Sequence, residues 1–213
     1  MIIEYLGHSC FKFTDKAGTS IVCDPYDNSL GLTFPKVFAD AVTVSHGHHD
    51  HNAVSEVSGT PIIFDKYGSY HFRGIEISTV KSFHDREMGA KRGNNLIFKY
   101  NIDGLNICHL GDLGEDSSPE LVEKLFPVNV LLIPVGGFYT IDALTAKKYV
   151  EDIKPDIVIP MHYRVGGCNL NIERVDNFLT LFNKEIIEEA DGEIELTRSN
   201  LNGRTKIIVL RRD

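Results

Sequence analysis

A chain of 213 residues, 42% hydrophobic and 24% charged, carries enough apolar side chains for one sizeable core and too many for a disordered segment. Its 22 basic and 30 acidic residues leave a net charge of -8, so no global basic field gathers nucleic acid. No window reaches the roughly 18 apolar residues of a membrane span.

In chain order, the first half reads as short strands broken by turn residues: 2–6, 10–14, 20–24, 41–45, 62–65 and 74–83. The run 96–110 holds "IDG" between two alternating segments, a hairpin signal. A helix is expected over 118–126, with Ser117 or Ser118 as its cap and Pro119 in its first turn. Then come a strand at 130–135, a helix at 140–154 ending before Pro155, a strand at 156–162 and a helix at 171–182. Strands at 193–197 and 206–212 close the chain. No linker, low-complexity stretch or short repeat divides the sequence, so residues 1–213 read as one domain of the α/β class.

The N-terminal "MIIEYLGHSCFKF" lacks the basic and then apolar pattern of a secretion signal. Cys10, Cys23, Cys108 and Cys168 form no CxxC pair. A cytoplasmic protein with reduced thiols is therefore the expectation.

The stretch "SHGHHDHNA" places four histidines and an aspartate in six positions, directly after the strand 41–45. Crowded imidazoles repel one another when protonated and pack poorly, so a metal ion is the natural reason to hold them together. A chance H-x-H-x-D-H in a chain of this composition is on the order of one in a thousand. The residues His46, His48, Asp50 and His51 sit too close in sequence to share one tetrahedral ion, and divide readily between two. Further donors lie where a sheet edge would deliver them: His84, Asp112 and His162 each follow an apolar run. Imidazole and carboxylate suit zinc, and also manganese or iron.

In this order, His46-Gly-His48-His-Asp50-His51, then His84, Asp112 in "GDLG" and His162 resemble the metallo-β-lactamase fold superfamily. "PVGGFYTIDALTA", followed by "KPDIVIPMHYR", and the opening "YLGHSCFKF" look more particularly like small metal-dependent hydrolases near the ascorbate-6-phosphate lactonase branch. The resemblance implies a four-layer αββα sandwich, α/β (α+β) in class, holding two divalent metal ions. It implies that His46, His48 and His84 hold the first metal, that Asp50, His51 and His162 hold the second, and that Asp112 bridges both. It also implies hydrolysis by a metal-bridged hydroxide, with Asp50 and Asp112 as the catalytic carboxylates. Two dications against two aspartates and a hydroxide leave a locally cationic pocket, which suits a small anionic, ester, lactone or phosphorylated substrate.

Around these donors, His8, Tyr139 and Arg164 are candidate substrate contacts, His8 reading equally as a supporting group or a hydrogen-bonded turn histidine. His109 and Asp24 are candidate supports for a ligand, with a buried structural histidine and an Asp-Pro turn as the plainer readings. His49 and His71 read as surface residues, and Arg86, Lys91 and Arg92 as a polar loop that could meet an anionic substrate, with a solvated loop as the plainer reading. Gly136 and Gly137 let backbone approach the pocket. The rival readings are an iron-dependent oxidoreductase on the same scaffold and a metal-binding module without turnover. No nucleic-acid or membrane partner is expected, and nothing in the sequence signals an oligomeric state.

Overall fold

The computed structural model describes residues 1–212. Alternating apolar residues at the start of the chain form three antiparallel strands, β1 (Ile2–Gly7), β2 (Cys10–Thr14) and β3 (Ser20–Cys23). Short strands follow: β4 (Val37–Phe38), β5 (Ala41–Thr43), β6 (Val57–Ser58), β7 (Ile62–Phe64) and β8 (Ser69–Phe72). Two nine-residue strands, β9 (Ile75–Phe83) and β10 (Asn94–Ile102), lead into β11 (Leu105–His109). The hairpin between β10 and β11 turns at Asp103 and Gly104, both at positive φ, as a two-residue turn requires.

In the second half, α1 (Pro119–Leu125) is capped by Ser118, whose side chain accepts from the Leu121 N–H at 3.2 Å. Strand β12 (Val130–Pro134) precedes α2 (Ala143–Ile153), capped by Asp142 accepting from the Thr145 N–H at 2.8 Å. Then come β13 (Ile157–Met161), α3 (Asp176–Leu179), β14 (Ile187–Asp191), β15 (Glu193–Glu195) and β16 (Lys206–Arg211). The helix expected over 171–182 is only this one turn. Upstream of it, backbone groups are spent elsewhere: Glu173 N–H donates to the Gly136 carbonyl, and the Glu173 carbonyl accepts from Arg164.

Two sheets stack, with strand orders β15-β1-β2-β3-β5-β7 and β14-β16-β13-β12-β11-β10-β9-β8; β4 and β6 form a separate two-stranded ladder. Between the sheets lies an apolar layer with Phe11, Phe13, Phe98, Tyr100, Leu132 and Ile159 at its centre. The larger sheet buries its other face against the helices through Leu131, Val158, Leu125, Tyr149 and Phe178. The outer face of the smaller sheet is covered by coil and 3-10 turns that seat Tyr26, Leu30 and Phe34, with Val57 of β6 beside them. Pro25, Gly31 and Pro35 interrupt that segment, which explains the lack of a helix there. This mixed α/β sandwich matches the expected fold class.

Strands β1, β3 and β5 run the same way in one sheet, as do β9, β11, β12 and β13 in the other. The loops after β1, β3 and β5 thereby face those after β9, β11 and β13 across one edge of the sandwich.

Candidate metal centre

At that edge Asp112 is the hub. Its Oδ1 lies 3.1 Å from His51 Nε2, and its Oδ2 lies 3.2, 3.3 and 3.8 Å from the Nε2 atoms of His84, His162 and His46. His48 closes the first side, its ring 4.6 Å from that of His46 and 5.1 Å from that of His84 between centroids. Asp50 closes the second, its Oδ2 3.6 Å from His51 Nε2. The structure thus brings together all seven of the expected donors, His46, His48, His84, Asp50, His51, His162 and Asp112. Three groups have donor atoms within 4.8 Å of one another: His46–His48–His84, His46–His51–Asp112 and His8–Asp50–His51–His162.

These contacts are not hydrogen bonds. Nε2 of His46, His51 and His162, Nδ1 of His84 and His162, and Oδ1 of Asp112 are buried without a hydrogen-bond partner. Such a concentration of unpaired polar atoms costs stability unless a ligand completes it. Nitrogen and oxygen donors converging from four loops fit divalent metal ions, which no side chain here replaces.

A second layer aims the rings. Asp24, buried and at φ 47, accepts from the Ser45 N–H at 2.8 Å, from Ser45 Oγ at 2.6 Å and from His51 Nδ1 at 2.8 Å. Ser45 Oγ in turn lies 2.9 Å from His46 Nδ1. With Nδ1 engaged on both rings, each presents an Nε2 lone pair inward. Sequence reasoning saw Asp24 as a candidate support, but not Ser45 or Asn95. Buried Asn95 donates to Ser82 Oγ and to the Leu110 carbonyl, and accepts from the Asp112 N–H at 3.0 Å, fixing the loop that carries the hub. Gly111 is at φ 56, and a Cβ there would stand 2.4 Å from Asn95 Oδ1. Gly136 is equally constrained, since its Cβ would meet the His162 carbonyl oxygen at 2.2 Å.

Electrostatics readies the donors. Burial, helped by repulsion from His51, pushes His46 down to about 3, so its imidazole is neutral at physiological pH. Burial and the nearby His162 lower His8 to about 4. Burial also works against ionisation of Asp112 and Asp50. For Asp112 the surrounding His162 and His51 outweigh it, and for Asp50 the contacts with His8 and His51 do, so both carboxyls titrate below their ordinary range. Burial alone would lower His51, yet Asp112 and Asp24 raise it well above the ordinary imidazole value.

The other expected residues divide. His8 enters the cluster, 3.3 Å from Asp50 Oδ2. His109 does not: its Nε2 donates to the Ser9 carbonyl at 2.8 Å and its Nδ1 accepts from the Gly111 N–H at 3.1 Å, so it is a buried tie between the sheets. Tyr139 packs on Phe138 and under Arg92, whose guanidinium is 5.6 Å from the ring centroid. Arg164 is exposed and lines a separate cavity of about 600 Å³ with Gly7, Tyr26, Arg174, Arg211 and Arg212, to which none of the seven donors contributes. Arg86 pairs with Asp116 and Lys91 with Glu87 on the surface. His49 and His71 are exposed.

A model of the beta-lactamase superfamily domain matches residues 2–162. A UPF0173 metal-dependent hydrolase of Carboxydothermus hydrogenoformans is 30% identical over 192 residues, covering 76% of this chain and 84% of the relative. Its counterpart in Pyrococcus abyssi is 30% identical over 190 residues, with the same 76% and 84% coverage. The crystal structure of a candidate Zn-dependent hydrolase of the metallo-beta-lactamase superfamily from Thermotoga maritima superposes with a TM-score of 0.83 at 35% identity, covering 100% of this chain and 99% of that one. The chain belongs to the beta-lactamase superfamily, among its UPF0173 metal-dependent hydrolases. No described helix is long and apolar enough to cross a membrane.

Proposed function

We propose that this metal-dependent hydrolase works with two divalent ions, one at His46, His48 and His84 and one at Asp50, His51 and His162, with Asp112 shared between them. Zinc is the first candidate, with manganese and iron served by the same donors. The observation that carries the reading is the placement of Asp112, one carboxylate oxygen beside His51 and the other beside His84, His162 and His46, among buried donor atoms with no protein partner. When bound, two such ions lower the pKa of a coordinated water and polarise the electrophile, which is hydrolytic chemistry.

The chain's own residues set the conditions. Burial keeps His46 neutral at pH 7 and both aspartates stay ionised, while His51, raised by Asp112 and Asp24, would have to give up a proton for its Nε2 to hold an ion. Asp50, kept ionised, is the carboxylate placed to orient or accept a proton beside the donor rings. Against two dications, two carboxylates leave the pocket cationic inside an acidic protein, which favours a small anionic, ester, lactone or phosphorylated substrate.

The test is hydrolysis of a generic lactone, carboxylic ester and phosphodiester by metal-loaded protein. Activity on at least one is expected, falling by about 10²–10³-fold in Asp112→Ala, of the size seen when a group that stabilises developing charge is removed. Equal activity in Asp112→Ala would overturn the shared-carboxylate reading.

A further inference from the structure

With the seven donors assigned, one imidazole in the cluster is left without a role. His8 stands in the tight turn from β1 to β2, is 1% exposed and has φ 55, a conformation few non-glycine residues adopt. Its backbone is tied down, the carbonyl accepting from the His162 N–H at 3.1 Å and from Tyr5 Oη at 3.4 Å. The ring therefore points into the cluster, with its centroid 4.3 Å from that of His162 and 5.3 Å from that of His51. Neither ring nitrogen has a hydrogen-bond partner. His109 shows what a buried histidine with a structural task looks like in this same protein: both of its nitrogens are paired. An imidazole buried with two idle nitrogens is costly unless something else engages it.

We propose that His8 is a direct metal donor, so that the second ion is held by His8, Asp50, His51 and His162 together with Asp112. The donor atoms of His8, Asp50, His51 and His162 already lie within 4.8 Å of one another, so small shifts would bring them to bonds of about 2.0–2.2 Å to a common ion, beside Asp112 Oδ1 at 3.1 Å from His51 Nε2. This inference rests on the two-ion reading above. It makes the centre asymmetric. The first ion has four protein donors, His46, His48, His84 and Asp112, and the second has five. Five nitrogen and oxygen donors suit an ion that accepts five or six ligands, as manganese and iron do, better than a tetrahedral zinc. Open coordination positions then fall to the first ion, on the side where His48 is exposed to solvent.

Loss of affinity in a His8 variant would not by itself decide the matter, because removing a hydrogen-bond partner of a ligand also weakens metal binding about 10–100-fold. Bonded nitrogens are read directly in protein labelled with ¹⁵N-histidine and loaded with ¹¹³Cd, through one-bond coupling between the two nuclei. The expected result is two cadmium ions per chain and coupling at six histidines, His8, His46, His48, His51, His84 and His162, with His109 uncoupled. His8→Gln assigns the His8 signal and should release the second cadmium at least about tenfold more readily while leaving the first in place. If that variant fails to fold, the count in the unaltered protein still decides. Two cadmium ions with coupling at only five histidines overturns the inference and leaves the two-ion reading standing. Fewer than two ions per chain, or no coupling, removes the two-ion reading and this inference with it.

Discussion

Asp24 accepts hydrogen bonds from the Ser45 backbone, from the Ser45 hydroxyl and from His51, and Ser45 reaches on to His46, so one buried carboxylate aims a donor on each side of Asp112. Asp24→Asn keeps the side-chain shape but brings an amide N–H₂ to a site that needs only acceptors. Metal affinity, measured by competition with a chelator, should fall about 10–100-fold; an unchanged affinity would mean the rings are aimed without it. That these seven side chains would cluster was legible in the sequence because four of them share one loop and the others each end an apolar run. Asp24 was legible only as a possibility, since its role depends on β3 and β5 lying side by side. Nothing marked Asn95, a polar residue in an otherwise ordinary strand whose partner, Asp112, is 17 positions away. His8 stood in the sequence only as a candidate substrate or supporting group; the meeting of the two sheets sets it against His162.

At the scale of elements, the strands that alternate cleanly or are wholly apolar were readable, as were the two helices with side-chain caps. Those that escaped have little pattern to offer. Strand β14 carries Glu188, Glu189 and Asp191, and exists because it pairs in register with β16 at the sheet edge. Strand β8 is exposed at alternate positions and held by β9. The loop after His84 read as solvated, yet it is organised around a single buried carboxylate. Asp85 accepts from the backbone N–H groups of Glu87, Gly89, Lys91 and Arg92, at 2.7 to 2.9 Å. Arg92, so placed, donates to the Phe138 carbonyl and ties this loop to the one after β12. Asp85→Ala should speed amide exchange at those four positions by about tenfold or more, each having lost a bond worth about 1.5–3 kcal/mol to a charged acceptor, while the sheets stay protected. Unchanged exchange would show the loop to be held by its other contacts.

For the molecule as a whole, two sheets meet at one edge where buried imidazoles and carboxylates face each other with nothing of the protein's own to pair them. The folded chain is thus incomplete without a metal at this edge, and metal binding is expected to contribute to its stability. At a free metal concentration 100 times Kd, each ion contributes about 2.7 kcal/mol, provided the unfolded chain does not bind it. For a chain of this size that is a rise in melting temperature of about 5–10 °C per ion, lost on chelation and recovered when metal is returned. A melting temperature indifferent to chelator would contradict metal at the buried cluster.

The most direct test of the shared-carboxylate centre is an anomalous-difference map from crystals of the metal-loaded protein, collected across the absorption edge of the bound metal. The account predicts two peaks about 3.5–4 Å apart, one beside His46, His48 and His84 and the other beside Asp50, His51 and His162, with Asp112 between them. A single peak in fully loaded crystals, or two peaks that do not flank Asp112, would contradict it.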